Sequence, residues 1–240
     1  MERRLFCFWT GDNAIPDVRM RSIDSLSNSG LEVCLITNDT VGEYFNEGDL
    51  HPSYYFLNLA HRADYLRAYF MHHYGGGYCD IKKINHSWLP VFEQLMTDEN
   101  LLAAGYMEVN RHGVANISQS AQLLECSLPY RLKEYARWRW LQLHYERVVG
   151  NCAFIFKPKT ELTYRWWSEV NRRLDQFSDE LAKYPANHHK ERKGVLYDGK
   201  VSRYPLPWSY ILGDVMQPLA LKYSSRVLKS LPAPDFSNYQ

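Results

Sequence analysis

The chain has 240 residues, 45% of them hydrophobic and 23% charged, enough apolar surface for one α/β domain with a sizeable core. Its formal charge of +1 excludes the strong positive field of a nucleic-acid binder or of a protein drawn to acidic membranes. Aromatic residues make up 15%, which suits rings that stack on sugars or bases and equally suits an aromatic-rich core.

Residues 5–9, LFCFW, form a continuous apolar run, as expected of a buried central strand. Thr10, Gly11, Asp12 and Asn13 are a turn cluster at its carboxyl end, and Pro16 suits the first turn of a helix reaching about Leu26. Ser29-Gly30 stops that helix; residues 31–36 are a second strand and 41–45 a short helix. Strand, helix, strand predicts a parallel, right-handed unit. Trp9, Thr10 and Asp12 then lie at a strand's carboxyl end, where ligands gather in open α/β sheets. The plainer reading is an ordinary strand-to-helix turn with Asp12 near the helix N-terminus.

Residues 61–83, HRADYLRAYFMHHYGGGYCDIKK, are the centre of the chain. Leu59, Ala63, Leu66 and Phe70 fall on one helical stripe that can pack on a core. Asp64 and Arg67, three apart, sit side by side at its edge. Gly75, Gly76 and Gly77 end the helix, and glycine also lets backbone approach a ligand closely. Residues 78–81 read as a short strand, with Asp80 at its carboxyl end and Lys82 and Lys83 at its exit. The alternative is a buried helix and an ordinary core strand, with Asp64 and Arg67 as a surface ion pair.

Ser87 caps a helix to about Met96, and residues 101–106 are a strand with Glu108 just past its exit. Residues 131–147 are helical and rich in tryptophan, arginine and tyrosine. Glu134, Glu146 and the neutral total charge argue against a nucleic-acid or membrane face, so this helix reads as an amphipathic elaboration. Residues 148–156 are another buried strand. Thr160 opens a helix to about Lys183, with Trp166, Val170, Leu174 and Phe177 on one side. Residues 186–203 are polar and glycine-punctuated, either a mobile loop over a site or a surface loop without a role. Residues 209–212 are a short helix followed by Gly213-Asp214, and the tail after Leu231 is extended.

Taken together, Asp64-x-x-Arg67, Tyr74-Gly75-Gly76, Tyr78 and Asp80, with the FWTGDN run of Phe8 to Asn13, resemble the donor-binding core of Asp-x-Asp glycosyltransferases of the GT-A fold. The capsular-polysaccharide-synthesis type and its glycosyltransferase-family-32 relatives are the nearest likeness, and the glucosylating domains of large bacterial toxins share the spacing from helix Asp to strand Asp. The likeness is specific over residues 5–13 and 58–82, and looser near 100–108, 148–158 and 204–214. It implies one α/β domain over 1–240: a GT-A-like mixed, mostly parallel sheet flanked by helices, with elaborations at 109–147 and 184–206. It implies a UDP- or GDP-sugar donor and a glycan or polysaccharide acceptor, as in capsule, surface-glycan or viral glycoprotein synthesis.

By the same resemblance, Trp9, Thr10 and Asp12 line the nucleoside site, and Asp64 accepts from donor-sugar hydroxyls with Arg67 orienting it or reaching the donor. Gly76 belongs to the donor-binding residues, Gly150-Asn151 faces the transferred sugar, and Trp208 and Asp214 return to the diphosphate. Asp80 ligates Mn²⁺ or Mg²⁺. Asp80, Lys82, Glu108 and Asp214 are the catalytic candidates, with Glu108 on the acceptor side or simply a solvated turn glutamate. One departure matters: Asp80-Ile81-Lys82 stands where the family has Asp-x-Asp. A lysine in place of the second carboxylate implies weak or dispensable metal dependence, with Lys82 touching the phosphates itself. The competing readings are a non-catalytic sugar-nucleotide-binding relative and an interaction module built on the 131–147 helix.

Other chemistries lack their signatures. The chain has no G-x-x-x-x-G-K-[ST] loop and no G-x-S-x-G elbow, and the adjacent pairs His72-His73 and His188-His189 point apart rather than toward one zinc. Five cysteines without a CxxC pair suit a reducing, cytoplasmic setting. The apolar run near the N-terminus is short for a signal peptide, and no segment approaches the ~20 apolar residues of a membrane span.

Overall fold

A computed structural model describes residues 1–237. Its strands are β1 (Arg4–Trp9), β2 (Glu32–Thr37), β3 (Gly76–Cys79), β4 (Ala103–Met107), β5 (Val149–Phe156), β6 (Leu196–Tyr197), β7 (Lys200–Val201) and β8 (Val227–Leu228). Its helices are α1 (Asp17–Leu26), α2 (Leu59–His73), α3 (Leu89–Thr97), α4 (Ile117–Leu123), α5 (Leu128–Leu143), α6 (Glu161–Gln176), α7 (Ser178–Lys183) and α8 (Gly213–Lys222). Six strands form one sheet in the order β2-β1-β3-β5-β4-β8, and β6 and β7 form a separate ribbon. The pairs β1–β2, β1–β3 and β4–β8 are parallel, while β5 runs antiparallel to both neighbours. The chain is thus α/β, with a mostly parallel mixed sheet flanked by helices.

The opening follows the apolar pattern. Leu5, Phe6, Cys7 and Phe8 are buried, and β1 pairs in register with β2 from Arg4↔Glu32 to Trp9↔Thr37. Pro16 is the N-cap of α1. Its extended φ and ψ and missing N–H fit a position where no backbone bond is needed.

The middle departs from the expected stripe. α2 buries His61, Asp64, Tyr65, Leu66, Ala68, Tyr69, Phe70 and Met71, so it is covered on nearly every side. Its face toward the sheet packs Phe70 against Phe6 and Phe8, with ring centroids 4.9 and 5.2 Å apart. Its other flank meets α6 through Tyr69 and Trp167 at 5.2 Å. Asn58 caps it, the Asn58 side chain accepting from the His61 N–H at 2.7 Å. Only Gly75, at φ 67°, ends the helix; Gly76 and Gly77 already belong to β3.

α6 is bounded by a reciprocal cap. Thr160 Oγ1 accepts from the Thr163 N–H at 3.2 Å, and Thr163 Oγ1 accepts from the Thr160 N–H at 3.0 Å. Trp166, Val170 and Leu174 are fully buried along one stripe. The helix expected to reach Lys183 breaks at Phe177, whose ring turns into the core 5.7 Å from Tyr210, and α7 resumes after it. Expected boundaries elsewhere shift slightly: Trp88, not Ser87, is the N-cap of α3, and α5 begins at Leu128. Residues 209–212 are turn, and the helix there is α8.

The five cysteines are free. Among the described residues no helix is long and apolar enough to cross a membrane.

Candidate functional site

β1 and β3 are parallel neighbours, so Trp9 and Asp80 leave the sheet at the same edge. A cleft of about 1280 Å³ opens there. Its floor comes from Trp9, Thr10, Tyr78, Asp80 and Asn151; its walls come from α2 through Leu59, Ala63, Asp64 and Arg67, from the 112–116 turn, and from residues 189–195 and 207–213. Leu59 and Ala63, expected to face the core, line this cleft. They leave a small apolar strip beside the charged pair.

Five side chains are knitted together at the base. Arg67 donates from Nη2 to Asp80 Oδ1 at 2.8 Å and lies 3.3 Å from Asp64 Oδ1. It also donates to the Asn151 carbonyl at 3.3 Å and sits 4.6 Å above the Tyr78 ring. The Tyr78 hydroxyl donates to Asp80 Oδ1 at 2.7 Å, and Lys82 Nζ donates to Asp80 Oδ2 at 3.2 Å. Burial works to raise the Asp80 carboxyl, but Arg67, Lys82 and the Tyr78 hydroxyl outweigh it and hold Asp80 below the usual carboxylate range. Asp64 goes the other way. Burial pushes its carboxyl up to about 7 against the pull of Arg67, and the Asp80 charge adds to the rise. Two carboxylates beside one guanidinium therefore differ: Asp80 is a fixed anion, and Asp64 changes charge near neutrality.

His61 holds the far wall. Its Nε2 lies 3.0 Å from the Trp208 carbonyl and its Nδ1 2.8 Å from the Tyr204 hydroxyl. Complete burial pushes it down to about 4, although the Trp208 and Pro207 carbonyls act in the opposite direction, so at neutral pH it is an uncharged pin between α2 and the 204–208 segment. Trp208 is 45% exposed on that segment, with the Arg192 guanidinium 5.1 Å from its ring centre.

Seven expected site residues converge on the cleft: Trp9, Thr10, Asp64, Arg67, Asp80, Asn151 and Trp208. Asn151 carries a further mark. Its Oδ1 is buried without a hydrogen-bond partner among the described residues, which leaves an acceptor for a hydroxyl that enters the cleft.

Five others do not line it. Asp12 sits on the outer turn and accepts from Asn38 Nδ2 at 2.8 Å. Gly76 is at the opposite end of β3; its φ of 95° and the Arg4 carbonyl, 2.9 Å from where a Cβ would stand, explain that glycine by backbone packing. Lys82 is buried behind Asp80 with its ammonium 5.0 Å from the Phe236 ring centre, so it positions Asp80 rather than reaching into the cleft. Glu108 is buried, not solvated; burial raises its carboxyl, while the Val109 N–H and Lys82 act the other way. Asp214 is buried in the first turn of α8, accepting from Ser209 Oγ at 2.7 Å, and lines a second cavity of about 410 Å³ with Tyr130, Glu134 and Arg173. α5 contributes Tyr130 and Glu134 to that second cavity and nothing to the main cleft.

Sequence reasoning missed Arg19, His112, Asn116, Gln119, Arg192 and Lys193, which line the cleft. The HHKERK run at residues 188–193 was the available signal: a concentrated positive charge in a loop of a chain with almost no net charge.

The donor set does not fit a divalent cation. Asp80 already faces two cations and a hydroxyl, Asp64 shares the same guanidinium, and no group of three or more His, Cys, Asp or Glu side chains among the described residues is arranged to hold a metal. No family model, no curated protein and no solved structure matches the chain.

Proposed function

We propose that the chain is a glycosyltransferase that takes a sugar from a nucleoside-diphosphate donor, a UDP- or GDP-sugar, and moves it to a glycan or polysaccharide acceptor in the cytoplasm. The observation that carries this reading is the convergence of Asp64, Arg67 and Asp80 with Trp9, Thr10, Asn151 and Trp208 on one cleft at the carboxyl edge of parallel strands. The residue types suit such a donor. Trp9 and Trp208 offer ring faces to a base or sugar. Asp64 and the unpartnered Asn151 Oδ1 accept from sugar hydroxyls in a partly dry site, where a missing partner is costly. Arg67 locks Asp64 and Asp80 in fixed geometry, so the site is organised before the ligand arrives.

A specific observation favours a second reading. The full engagement of Asp80 suits a relative that binds sugar nucleotides without transferring the sugar. The two separate on donor turnover. The purified chain is incubated with UDP-glucose, UDP-galactose, UDP-N-acetylglucosamine or GDP-mannose, and free nucleoside diphosphate is measured. Release of UDP or GDP from one donor, lost in Asp64→Ala, supports the transferase. Thermal stabilisation by these donors without release supports the binder. Neither stabilisation nor release for any of them overturns both readings.

A further inference from the structure

Five cationic side chains line the cleft: Arg19, Arg67, Lys190, Arg192 and Lys193. Among the described residues, the carboxylates that line it are Asp64 and Asp80, and both are engaged by Arg67. The 189–193 segment alone brings three of these cations to the cleft, in a chain whose formal net charge is +1. Lys190, Arg192 and Lys193 make no ion pair with a carboxylate among the described residues, so their charge is uncompensated locally.

Their placement is fixed by the backbone around them. The Lys193 N–H donates to the Leu206 carbonyl at 2.9 Å, and the Lys190 carbonyl accepts from the Tyr197 hydroxyl at 2.6 Å. Glu191, between them, is buried: its Oε2 accepts from the Asn187 N–H at 2.6 Å and its Oε1 from Ser202 Oγ at 2.6 Å. The only acid in the run is thus turned inward, and the bases border the cleft. Arg192 lies over Trp208. Arg19, which also lines the cleft, donates to the Ile81 carbonyl at 3.0 Å.

We propose that the cleft holds the diphosphate of its ligand without a divalent cation, using Lys190, Arg192 and Lys193 from the 189–193 strap. This rests on the nucleotide-sugar reading above and names what neutralises the phosphates in that site. Lys82 contributes indirectly, by occupying the Asp80 oxygen that a cation would need. The strap cations supply the charge that a bound metal supplies elsewhere, and the Arg192 guanidinium can match phosphate oxygens in bidentate geometry.

The test is binding of UDP, GDP and UMP by isothermal titration calorimetry, in EDTA and again with Mn²⁺ or Mg²⁺. UDP or GDP is expected to bind in EDTA, with affinity changed less than about threefold by metal, more tightly than UMP, and more weakly as salt rises. Arg192→Ala and Lys193→Ala are each expected to weaken diphosphate binding in EDTA by about tenfold. Arg192→Lys and Lys193→Arg, which keep the charge, are expected to restore most of it. Binding that vanishes in EDTA and returns with Mn²⁺ overturns the metal-free proposal and leaves the nucleotide-sugar reading standing. No binding of any nucleotide in either condition overturns both. Folded alanine variants that bind like the wild type overturn the role of the strap; if they fail to fold, a wild-type affinity that does not respond to salt does so instead.

Discussion

Replacing Asp64 with asparagine should stabilise this protein at pH 8. The Asp64 carboxyl is 7% exposed, and its ordinary value of 3.8 is raised to about 7 by burial, against the attraction of Arg67. The raised folded-state value means that the unfolded chain ionises first. Stability is complete below the unfolded value, falls as pH climbs from about 4 to about 7, and stays reduced above that. Over that span the cost reaches about 4 kcal/mol, with the pull of Arg67 already included. An asparagine side chain there would keep an oxygen toward Arg67 and never ionise, and Arg67 would keep its bond to Asp80. At about 2–4 °C per kcal/mol for a chain of this size, the D64N variant should melt about 10 °C above the wild type at pH 8 and only about 2–4 °C above it at pH 4.5, where the cost is about 1 kcal/mol. Differential scanning fluorimetry across that range at fixed ionic strength measures both. A melting difference independent of pH, or a D64N protein less stable than wild type at pH 8, would refute the reasoning. Donor stabilisation should fall in the same variant, since a group that costs stability and lines a cleft is retained for its ligand.

Arg67→Met should destabilise by about 3–5 kcal/mol in urea unfolding, because it strands two carboxylates that share its guanidinium, whereas Lys82→Met should cost less, Asp80 keeping Arg67 and Tyr78. Equal losses for the two would contradict the assignment of Arg67 as the centre of the cluster. Gly150→Ala places a Cβ inside the space of the Tyr106 ring and should cost about 1–3 kcal/mol, with Tyr106→Leu in the same chain recovering part of it. Trp208→Ala, at a side chain 45% exposed, should leave unfolding within about 0.5 kcal/mol of wild type and weaken UDP binding about tenfold, as calorimetry would show.

The elements with one dominant local signal were legible in the sequence. The LFCFW run read as a buried strand, and the Trp166, Val170, Leu174 stripe as one face of a helix. α8 was not legible: Pro218 lies within it and reads locally as a stop, yet the helix forms because Val215, Met216 and Ala220 are buried against the core. α2 was legible as a helix but not as a central one, since tyrosine, histidine and aspartate count as polar along the chain and are buried here by partners distant in sequence.

Five cleft residues, Trp9, Thr10, Asp64, Arg67 and Asp80, could be named from their place at strand ends and in one helix–strand unit, because those positions follow from short-range geometry, whereas Asn151 and Trp208 were named only through the family resemblance. Lys82 and the basic strap were decided by folding. A side chain two residues beyond Asp80 has no orientation until β5 and the C-terminal segment pack beside it, and here that packing turns Lys82 behind the carboxylate. Residues 189–193 lie more than a hundred positions from α2 in the sequence, and long-range contacts such as the bonds of Asn58 to the Glu191 carbonyl and of Lys193 to the Leu206 carbonyl bring them to the cleft. Local propensity set the strands, the first helix and the edge where ligands gather; long-range packing decided which charges face that edge, because charge carries no directional pattern along a chain.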